Sequence, residues 1–252
     1  YFYSGFFNAN YGILKNIFIE KAISNVTISS LKFSAVGLLS GVNNGEIFNC
    51  YTSGELNSTE ISSTNNNTGG LVGSNVGKIN YCYNAVNVNA SYKDIIESPS
   101  ESRVGGLVGV NEATGLVENS YNIGNVTSEN LNNNTENTFS ICIGGIAGKI
   151  SGKIKNSYTT GIVTSIDSNS LNNYNIGTLV GLNNSSITNC YYLPNTVFPP
   201  RDDIQVTIGG EEKTSEYMKQ NSFVNDLNKG NETNIWKMDN NINQGYPILY
   251  WQ

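Results

Sequence analysis

Two pairs of adjacent carboxylates come nearest, by type and spacing, to a catalytic site. They are Asp202-Asp203, which follow Arg201, and Glu211-Glu212. Two carboxylates can serve as acid and base in glycoside hydrolysis, and clustered carboxylates with a basic residue can hold Ca²⁺ and a polysaccharide. Both pairs lie in an irregular segment, where neighbouring acidic side chains are normally only solvated. We therefore expect no catalytic residue there.

Other catalytic chemistry is restricted by the absence of histidine from all 252 residues. Histidine is the commonest general base and metal ligand. The four cysteines form no Cys-x-x-Cys pair with the spacing of zinc ligands. The sequence predicts no catalytic residue, no metal site and no cofactor. We expect that the chain is not an enzyme and that any activity resides elsewhere in a longer parent polypeptide.

One tyrosine recurs at intervals of 32 to 38 residues, at Tyr51, Tyr83, Tyr121, Tyr158 and Tyr191. An exposed stack of such rings could bind sugar rings, because each ring has a flat apolar face and a polar tip. Alternatively, the rings form a buried or half-buried stack that stabilises the fold. The second interpretation is favoured, and the accessibility of the rings decides between the two.

The residue before each of these tyrosines is small: Cys50, Cys82, Ser120, Ser157 and Cys190. This pattern predicts a small buried side chain at that position. A disulfide between Cys50 and Cys82 stays open, although in-register side chains point in parallel and rarely meet its geometry.

The insertion that differs most from the other repeats is Tyr92-Lys93-Asp94-Ile95-Ile96-Glu97. We interpret it as a surface insertion, and Tyr92, Lys93, Asp94 and Glu97 are the candidate ligand-binding residues. Many surface insertions contact nothing, so these residues are the best single hypothesis for a specific contact.

The amino-acid composition excludes some classes of binding partner. Charged residues make up 13% of the chain, the net charge is -6, and 42 residues are asparagine. So few basic residues argue against nucleic acid or anionic lipid as a partner. No apolar run approaches the roughly 20 residues that span a bilayer, so no membrane insertion is expected.

Internal repeats determine the elements that must position these residues. Five glycine-rich blocks recur, and each is followed by an apolar-x-Asn-small-Tyr block: they start at Val36, Gly69, Gly105, Gly144 and Gly177. Short β-branched runs bounded by Gly and Asn recur in each period of about 35 residues, and helical periodicity is missing. One period suits one turn of a parallel β-helix, in which equivalent residues stack as ladders. Inward asparagines can then bond to the coils above and below.

The repeats predict an all-β solenoid over residues 1–192, with an incomplete first coil at 1–35 and five repeats at 36–192. Polar segments of variable length, such as Asn57 to Thr68 and Asn89 to Arg103, should project from one side. Residues 193–252 should form a connector and a C-terminal cap over the open end of the solenoid. Thr214 would cap a helix whose apolar face includes Met218, Phe223 or Val224, and Leu227.

The repeated Gly-Gly-Leu-Val-Gly, followed by apolar-x-Asn-Cys-Tyr, resembles the bacterial GLUG repeat. The match spans roughly residues 36–192, and the tail from Met218 to Leu249 looks like the segment that often follows such arrays. Ser40, Ala147, Thr178 and Tyr81 depart from the pattern without breaking the period. The resemblance implies a right-handed β-solenoid of about five to six coils with a small α+β capping unit.

The same resemblance implies a place in large secreted or surface-anchored bacterial proteins, including adhesin-like proteins and the non-catalytic region of IgA1-specific metallopeptidases. The leading hypothesis is a non-catalytic stalk, spacer or adhesive module, extracellular or on the cell surface, whose partners are a host glycan or a host or cell-surface protein beside the rest of its own polypeptide. The alternative is an accessory region of a large peptidase or carbohydrate-active enzyme that positions substrate. The zinc-protease motif His-Glu-x-x-His is absent, since the chain has no histidine.

Overall fold

The computed structural model describes residues 1–29, 33–61, 65–93, 101–131, 139–167, 173–201, 204, 206–207 and 209–252. Over these residues the chain consists mainly of short parallel strands that wind into a β-solenoid. Two short helices and one turn of 3-10 helix lie near the C-terminus. The predicted all-β solenoid with a small C-terminal α+β unit is confirmed.

Each coil contains four successive strands, except the fourth coil, in which the last strand is divided. The first coil comprises β1 (Phe2–Ser4), β2 (Phe7–Asn10), β3 (Ile13–Lys15) and β4 (Phe18–Ser29). The second comprises β5 (Ser34–Gly37), β6 (Ser40–Asn43), β7 (Glu46–Phe48) and β8 (Tyr51–Ile61). The third comprises β9 (Asn65–Gly69), β10 (Val72–Asn75), β11 (Lys78–Asn80) and β12 (Tyr83–Lys93). The fourth comprises β13 (Glu101–Gly105), β14 (Val108–Asn111), β15 (Leu116–Glu118), β16 (Tyr121–Asn122) and β17 (Val126–Asn130).

The fifth coil comprises β18 (Ser140–Gly144), β19 (Ala147–Ile150), β20 (Lys153–Thr159) and β21 (Val163–Asp167). The sixth comprises β22 (Asn173–Gly177), β23 (Val180–Asn183), β24 (Ile187–Tyr192) and β25 (Val197–Phe198). β26 (Val206–Thr207) and β27 (Glu211–Glu212) begin a further pass. Residues 2–29 supply all four strands of a coil, so the first coil is more complete than the repeats alone predict.

Successive coils pair in parallel register and build long sheets. In the described part of the chain, the first strands of the coils form a seven-stranded sheet, the second strands form a six-stranded sheet, and the third and fourth strands share a 14-stranded sheet. The six stacked second strands correspond to the six coils, in agreement with the expected five to six.

The fourth strands are longer than the repeat pattern predicts. β8 and β12 extend into the segments that we expected to project as polar loops. Along their ends the residues alternate, and Ser58, Glu60 and Tyr92 point into the interior, each at most 1% exposed. Some of these interior positions hold small or polar residues, such as Ser58 and Glu60, which hydrogen-bond to each other inside the solenoid. Because such residues are typical of loops, the composition of the segments did not indicate strands.

Two glycines of the repeat permit close approaches between neighbouring chain segments. A Cβ atom on Gly73 would lie 2.5 Å from the backbone nitrogen of Val36, because the first and second strands of adjacent coils almost touch. A Cβ atom on Gly70 would lie 2.3 Å from the carbonyl oxygen of Gly106 in the next coil. Any larger residue at either position would push the coils apart.

An asparagine ladder runs through the interior at the ends of the second strands. It consists of Asn10, Asn43, Asn75 and Asn111, in which each Nδ2 donates to the Oδ1 of the next residue at 2.8, 2.8 and 2.7 Å. An amide both donates and accepts, so every interior member finds partners in the coils on either side. The predicted bonding of asparagine from coil to coil is confirmed. Ile150 takes this place in the fifth coil and ends the ladder.

The described residues between 193 and 212 continue the solenoid. β25, β26 and β27 pair in parallel with β21, β22 and β24. A Cβ atom on Gly210 would lie 2.3 Å from Cδ1 of Leu179, so this stretch crosses the end of the hydrophobic core. The predicted connector therefore covers part of the last coil.

Residues 213–252, called here the C-terminal segment, lie along the flank of the solenoid instead of over its end. The segment contains α1 (Ser215–Met218), α2 (Asn221–Asn228), β28 (Trp236–Lys237), the 3-10 turn η1 (Asn243–Gly245) and β29 (Ile248–Leu249). Thr214 caps α1 by accepting from the backbone N–H of Tyr217, and Met218, Phe223 and Leu227 are buried as predicted. The predicted single helix is interrupted at Lys219 and Gln220.

Candidate functional site

The repeated tyrosines form one ladder along the flank of the solenoid. Tyr51, Tyr83, Tyr121, Tyr158 and Tyr191 are in register in successive coils. The centroids of the first four rings are 4.6, 4.9 and 5.0 Å apart, with interplanar angles of 7°, 7° and 5°. Phe18 extends the stack at 5.1 Å from Tyr51. We call the five tyrosines the tyrosine ladder.

The C-terminal segment covers the tyrosine ladder. The Trp236 ring lies 5.9 Å from the Tyr121 ring and 5.5 Å from the Tyr158 ring. Phe223 packs its ring edge against Tyr191 at 5.1 Å. Tyr121, Tyr158 and Tyr191 are consequently 1%, 0% and 6% exposed.

Trp251 covers the other end of the stack. Its ring stacks 5.4 Å from Phe18, and it lies 6.3 Å from the Tyr51 ring and 6.0 Å from the Tyr83 ring. The ladder is therefore a docking surface for the chain's own C-terminus. The buried stack that we favoured is present, and an open platform for sugar rings along this ladder is not.

Hydrogen bonds hold the ladder to its cover. The hydroxyl of Tyr158 donates to the carbonyl oxygen of Pro247 at 2.5 Å, and Asn243 Nδ2 donates to the same hydroxyl at 2.8 Å. The Tyr121 hydroxyl donates to Oε1 of Gln252 at 3.0 Å. Burial raises the pKa of Tyr83 and of Tyr191 to about 12, because an ionised phenolate would lose its hydration.

The residue two positions before Phe18, and before each tyrosine of the ladder, turns the chain with a positive φ. This corner position holds Asn16, Asn49, Tyr81, Asn119, Asn156 and Asn189, with φ between 45° and 57°. Asparagine tolerates this left-handed backbone better than other residues with a side chain, which explains its recurrence. The C-terminal segment also bonds here, since Asn231 Nδ2 donates to Asn119 Oδ1 at 3.0 Å.

The small residue after the corner accepts a hydrogen bond from the coil before it. Backbone N–H of Cys82 donates to Ser120 Oγ at 3.2 Å, and that of Ser120 donates to Ser157 Oγ at 3.2 Å. All four cysteines are free and buried, so Cys50 and Cys82 form no disulfide. Burial raises the pKa of the Cys190 thiol to about 12, as expected for a residue that packs like a small apolar one.

The predicted contact segment is only partly a surface feature. Tyr92 is fully buried within β12, where it packs against Phe139 at 5.9 Å, so its ring is not accessible to a ligand. The strand alternates inside and outside, and Tyr92 falls on the inside. Lys93 is exposed, whereas Asp94 and Glu97 lie outside the described residues.

A buried carboxyl group, Glu60, lies one coil before Tyr92 in the same interior row. Ser58 Oγ donates to Glu60 at 3.0 Å, and Ser34 Oγ donates at 3.2 Å. Burial raises the pKa of Glu60 to about 7, because these two bonds only partly replace its hydration. The sequence reasoning missed Glu60, although its spacing from Leu56 and Ser58 already placed it on the inward face.

The acidic pairs have no catalytic arrangement in the described part of the chain. Glu211 and Glu212 are exposed on β27, and Glu211 pairs with Lys213 at 2.6 Å. Asp202 and Asp203 lie outside the described residues. Among the residues that the structure describes, no group of three acidic or cysteine side chains could hold a metal ion.

A surface pocket of about 200 Å³ lies beside the corner of the third coil. Its walls are formed by Glu46, Ile47, Phe48, Lys78, Asn80 and Tyr81. Tyr81 packs against the edge of Tyr250 at 5.7 Å. We call it the Tyr81 pocket; the sequence pointed to it only as a departure from the repeat.

Two basic groups at the Tyr81 pocket have close partners. Lys78 Nζ lies 2.6 Å from Oε1 of Glu118 in the next coil, and this contact raises the pKa of Lys78. The Lys15 ammonium lies 5.0 Å from the centre of the Phe48 ring, a cation–π contact. The pocket therefore combines two aromatic rings with polar groups of nearly balanced charge.

In the described residues no helix is long and apolar enough to cross a membrane.

The model of the GLUG motif matches residues 100–127, which include the third glycine-rich block and the small-Tyr pair that follows it. The chain thus carries a GLUG motif, as the resemblance predicted. No curated protein matches the sequence.

A solved structure shares the fold. It is that of a protein from Bacteroides ovatus, provisionally described as an immunoglobulin A1 protease. The two chains are 21% identical, the alignment covers 95% of this chain and 75% of that chain, and the TM-score is 0.54. At this identity the likeness shows the β-solenoid fold alone.

Proposed function

We propose that this chain is a non-catalytic β-solenoid module of a bacterial secreted or cell-surface protein, which acts as a rigid spacer and offers a lateral surface to a ligand. One observation carries the proposal: ladders of side chains continue from coil to coil, and the C-terminal segment is fastened along them. Solenoids of this kind present extended lateral surfaces for binding.

The side-chain chemistry supports a structural role. Burial raises the pKa of Tyr158 and of Cys190, and both side chains serve the fold: Tyr158 donates to the Pro247 carbonyl of the C-terminal segment, and Cys190 donates to the Thr188 carbonyl of its own strand. The buried carboxyl of Glu60 accepts hydrogen bonds from Ser34 and Ser58. These groups fit an interior whose side chains serve the fold.

A second candidate is an accessory region of a large peptidase, where the module would position a substrate for a catalytic domain. The fold shared with the Bacteroides ovatus protein favours it. In that case the partner would be the substrate of the peptidase, and immunoglobulin A1 is the first protein to test.

One experiment separates the two functions. The chain is immobilised, immunoglobulin A1 is passed over it, and both retention and cleavage are measured, with serum albumin as the control. We expect no cleavage. Selective retention would support the accessory role, and its absence would support a spacer. Cleavage by the purified chain would overturn the non-catalytic assignment, provided that the variant Trp236→Ala, which disturbs the fold, abolishes it.

A further inference from the structure

The Tyr81 pocket lies where the repeat is broken. The corner position is asparagine in five of the six coils and tyrosine in the third. Tyr81 nevertheless keeps the left-handed backbone, with a φ of 55°. This conformation is unfavourable for a bulky residue, because the Cβ atom crowds the following carbonyl oxygen. Strain of this kind persists where the surroundings hold it, often at binding sites.

The surroundings do hold Tyr81. Trp251 Nε1 donates to its backbone carbonyl at 3.0 Å, and the Tyr250 ring meets its side chain nearly at a right angle, at 84°. The Tyr250 hydroxyl in turn donates to Oδ1 of Asn49, the corner residue of the preceding coil. The C-terminal segment therefore fixes the orientation of the Tyr81 ring at the mouth of the pocket.

The polar lining of the pocket can bond to several hydroxyl groups. Glu46 and Lys78 are neighbours in register on β7 and β11, so a carboxylate and an ammonium lie side by side. Asn80, on the same strand as Lys78, adds a nearly buried amide that accepts from Asn119 Nδ2 at 3.1 Å. Because Glu118 already neutralises Lys78, the lining offers no net attraction to an anion.

We propose that the Tyr81 pocket is a binding site for a neutral sugar residue of a glycan. Phe48 and Tyr81 supply the aromatic faces on which a sugar ring can lie, and Glu46, Lys78 and Asn80 supply hydrogen bonds to its hydroxyls. Aromatic walls with a few converging polar groups are typical of small-ligand sites. This inference rests on the proposed function, since it gives the lateral surface of the module a ligand class.

Saturation-transfer NMR on the whole chain tests the proposal. The probes are the methyl glycosides of glucose, galactose and N-acetylglucosamine, with N-acetylneuraminic acid as the anionic comparison. A ligand of this size is expected to bind with a Kd of about 1 mM. We expect saturation of at least one neutral probe and weaker saturation of the acid.

Tyr81→Asn is the informative variant, because it restores the residue found at this corner in every other coil and should leave the fold intact. Loss of the aromatic platform should weaken binding about tenfold. The matched control is Tyr11→Asn, which removes a tyrosine that is 77% exposed and does not line the pocket. Thermal unfolding of both variants checks that they are folded.

Three results would overturn the proposal: no saturation of any neutral probe at roughly ten times the expected Kd, equal binding by Tyr81→Asn and the unchanged chain, or a preference for the acid. None of these results bears on the proposed non-catalytic role of the module, because the immunoglobulin experiment tests that role. Conversely, cleavage of immunoglobulin A1 would not contradict a positive result for sugar binding at the Tyr81 pocket.

Discussion

The asparagine ladder and the tyrosine ladder run along the same axis but are completed in different ways. Each amide of Asn43 and Asn75 finds its donor and acceptor in the neighbouring coils, at 2.7 to 2.8 Å. The hydroxyls of Tyr121 and Tyr158 find their partners in Gln252 and Pro247, far along the chain. The hydrogen bonds of the asparagine ladder are therefore completed within the repeat, whereas those of the tyrosine ladder need the C-terminal segment, which lies outside the repeat.

The contacts of the C-terminal segment make the solenoid a single cooperative unit. Contacts between neighbouring coils act only at nearest-neighbour range, as in other repeat proteins. The C-terminal segment reaches from Tyr191 in the sixth coil to Phe18 in the first. It therefore couples coils that have no contact with one another.

The largest effect is expected from Trp236→Ala. The side chain is 2% exposed and lies against Tyr121 and Tyr158, so its removal leaves a large cavity between the two parts. We expect unfolding to become easier by about 4 kcal/mol. Chemical denaturation measures this change, and titration of tyrosine absorbance should show ladder tyrosines ionising at lower pH.

Trp236→Phe is the matched control. Trp236 Nε1 has no hydrogen-bond partner among the described residues, so phenylalanine keeps the ring and removes an unsatisfied donor. Its loss of stability should be well below that of the alanine variant. Equal losses would mean that the ring does not fasten the segment to the ladder.

Asn75→Leu interrupts the asparagine ladder at one of its interior members. The substitution removes one of the two acceptors of Asn43 Nδ2, which also donates to the Lys78 carbonyl oxygen at 3.3 Å, and it removes the donor to Asn111 Oδ1. The two lost buried bonds should cost about 3 kcal/mol in the free energy of unfolding. The effect should be measurable by denaturation without any early release of the C-terminal segment.

Asn57→Leu provides the comparison for this prediction. Asn57 also stacks between two asparagines, Asn25 and Asn89, at 3.0 and 2.9 Å, but on the outer face where water can replace the lost bonds. We expect a loss below about 1 kcal/mol. Similar losses for the two variants would contradict the role of burial.

The smallest predicted effect concerns pH. Glu60 has a pKa near 7 in the folded chain and about 4.5 when unfolded, so the folded state binds the additional proton between these values. Stability should therefore fall as the pH rises from about 5 to about 8, by roughly 2 kcal/mol. In Glu60→Gln this part of the pH dependence should disappear, as denaturation at several pH values will show.

Glu55→Gln is the control for Glu60, because Glu55 lies on the same strand with its side chain in contact with solvent. It should leave the pH profile of stability in place. Parallel profiles for Glu60→Gln and the unchanged chain would show that the carboxyl of Glu60 is not the titrating group.

Much of the fold could be predicted because the sequence repeats mark equivalent positions in successive coils. The glycine block at Gly69–Gly73 and the Asn-small-Tyr block placed the turns and the ladders, and Thr214 marked the helix start. The long ends of β8 and β12 were missed, since Ser58 and Glu60 look like loop residues until their inward alternation is noticed. The candidate contact at Tyr92 was misplaced onto the surface for the same reason.

The period, the parallel stacking and the residues that line up from coil to coil follow from the amino-acid sequence, because they depend on local backbone chemistry repeated at a fixed interval. Three features are visible only in the folded chain: the C-terminal segment lies along the tyrosine ladder, Glu60 is buried, and Tyr81 borders a pocket. These features arise from contacts between residues far apart in the chain, such as Trp251 with Phe18 and Tyr81. Their pairing depends on packing in three dimensions, and no local pattern encodes it.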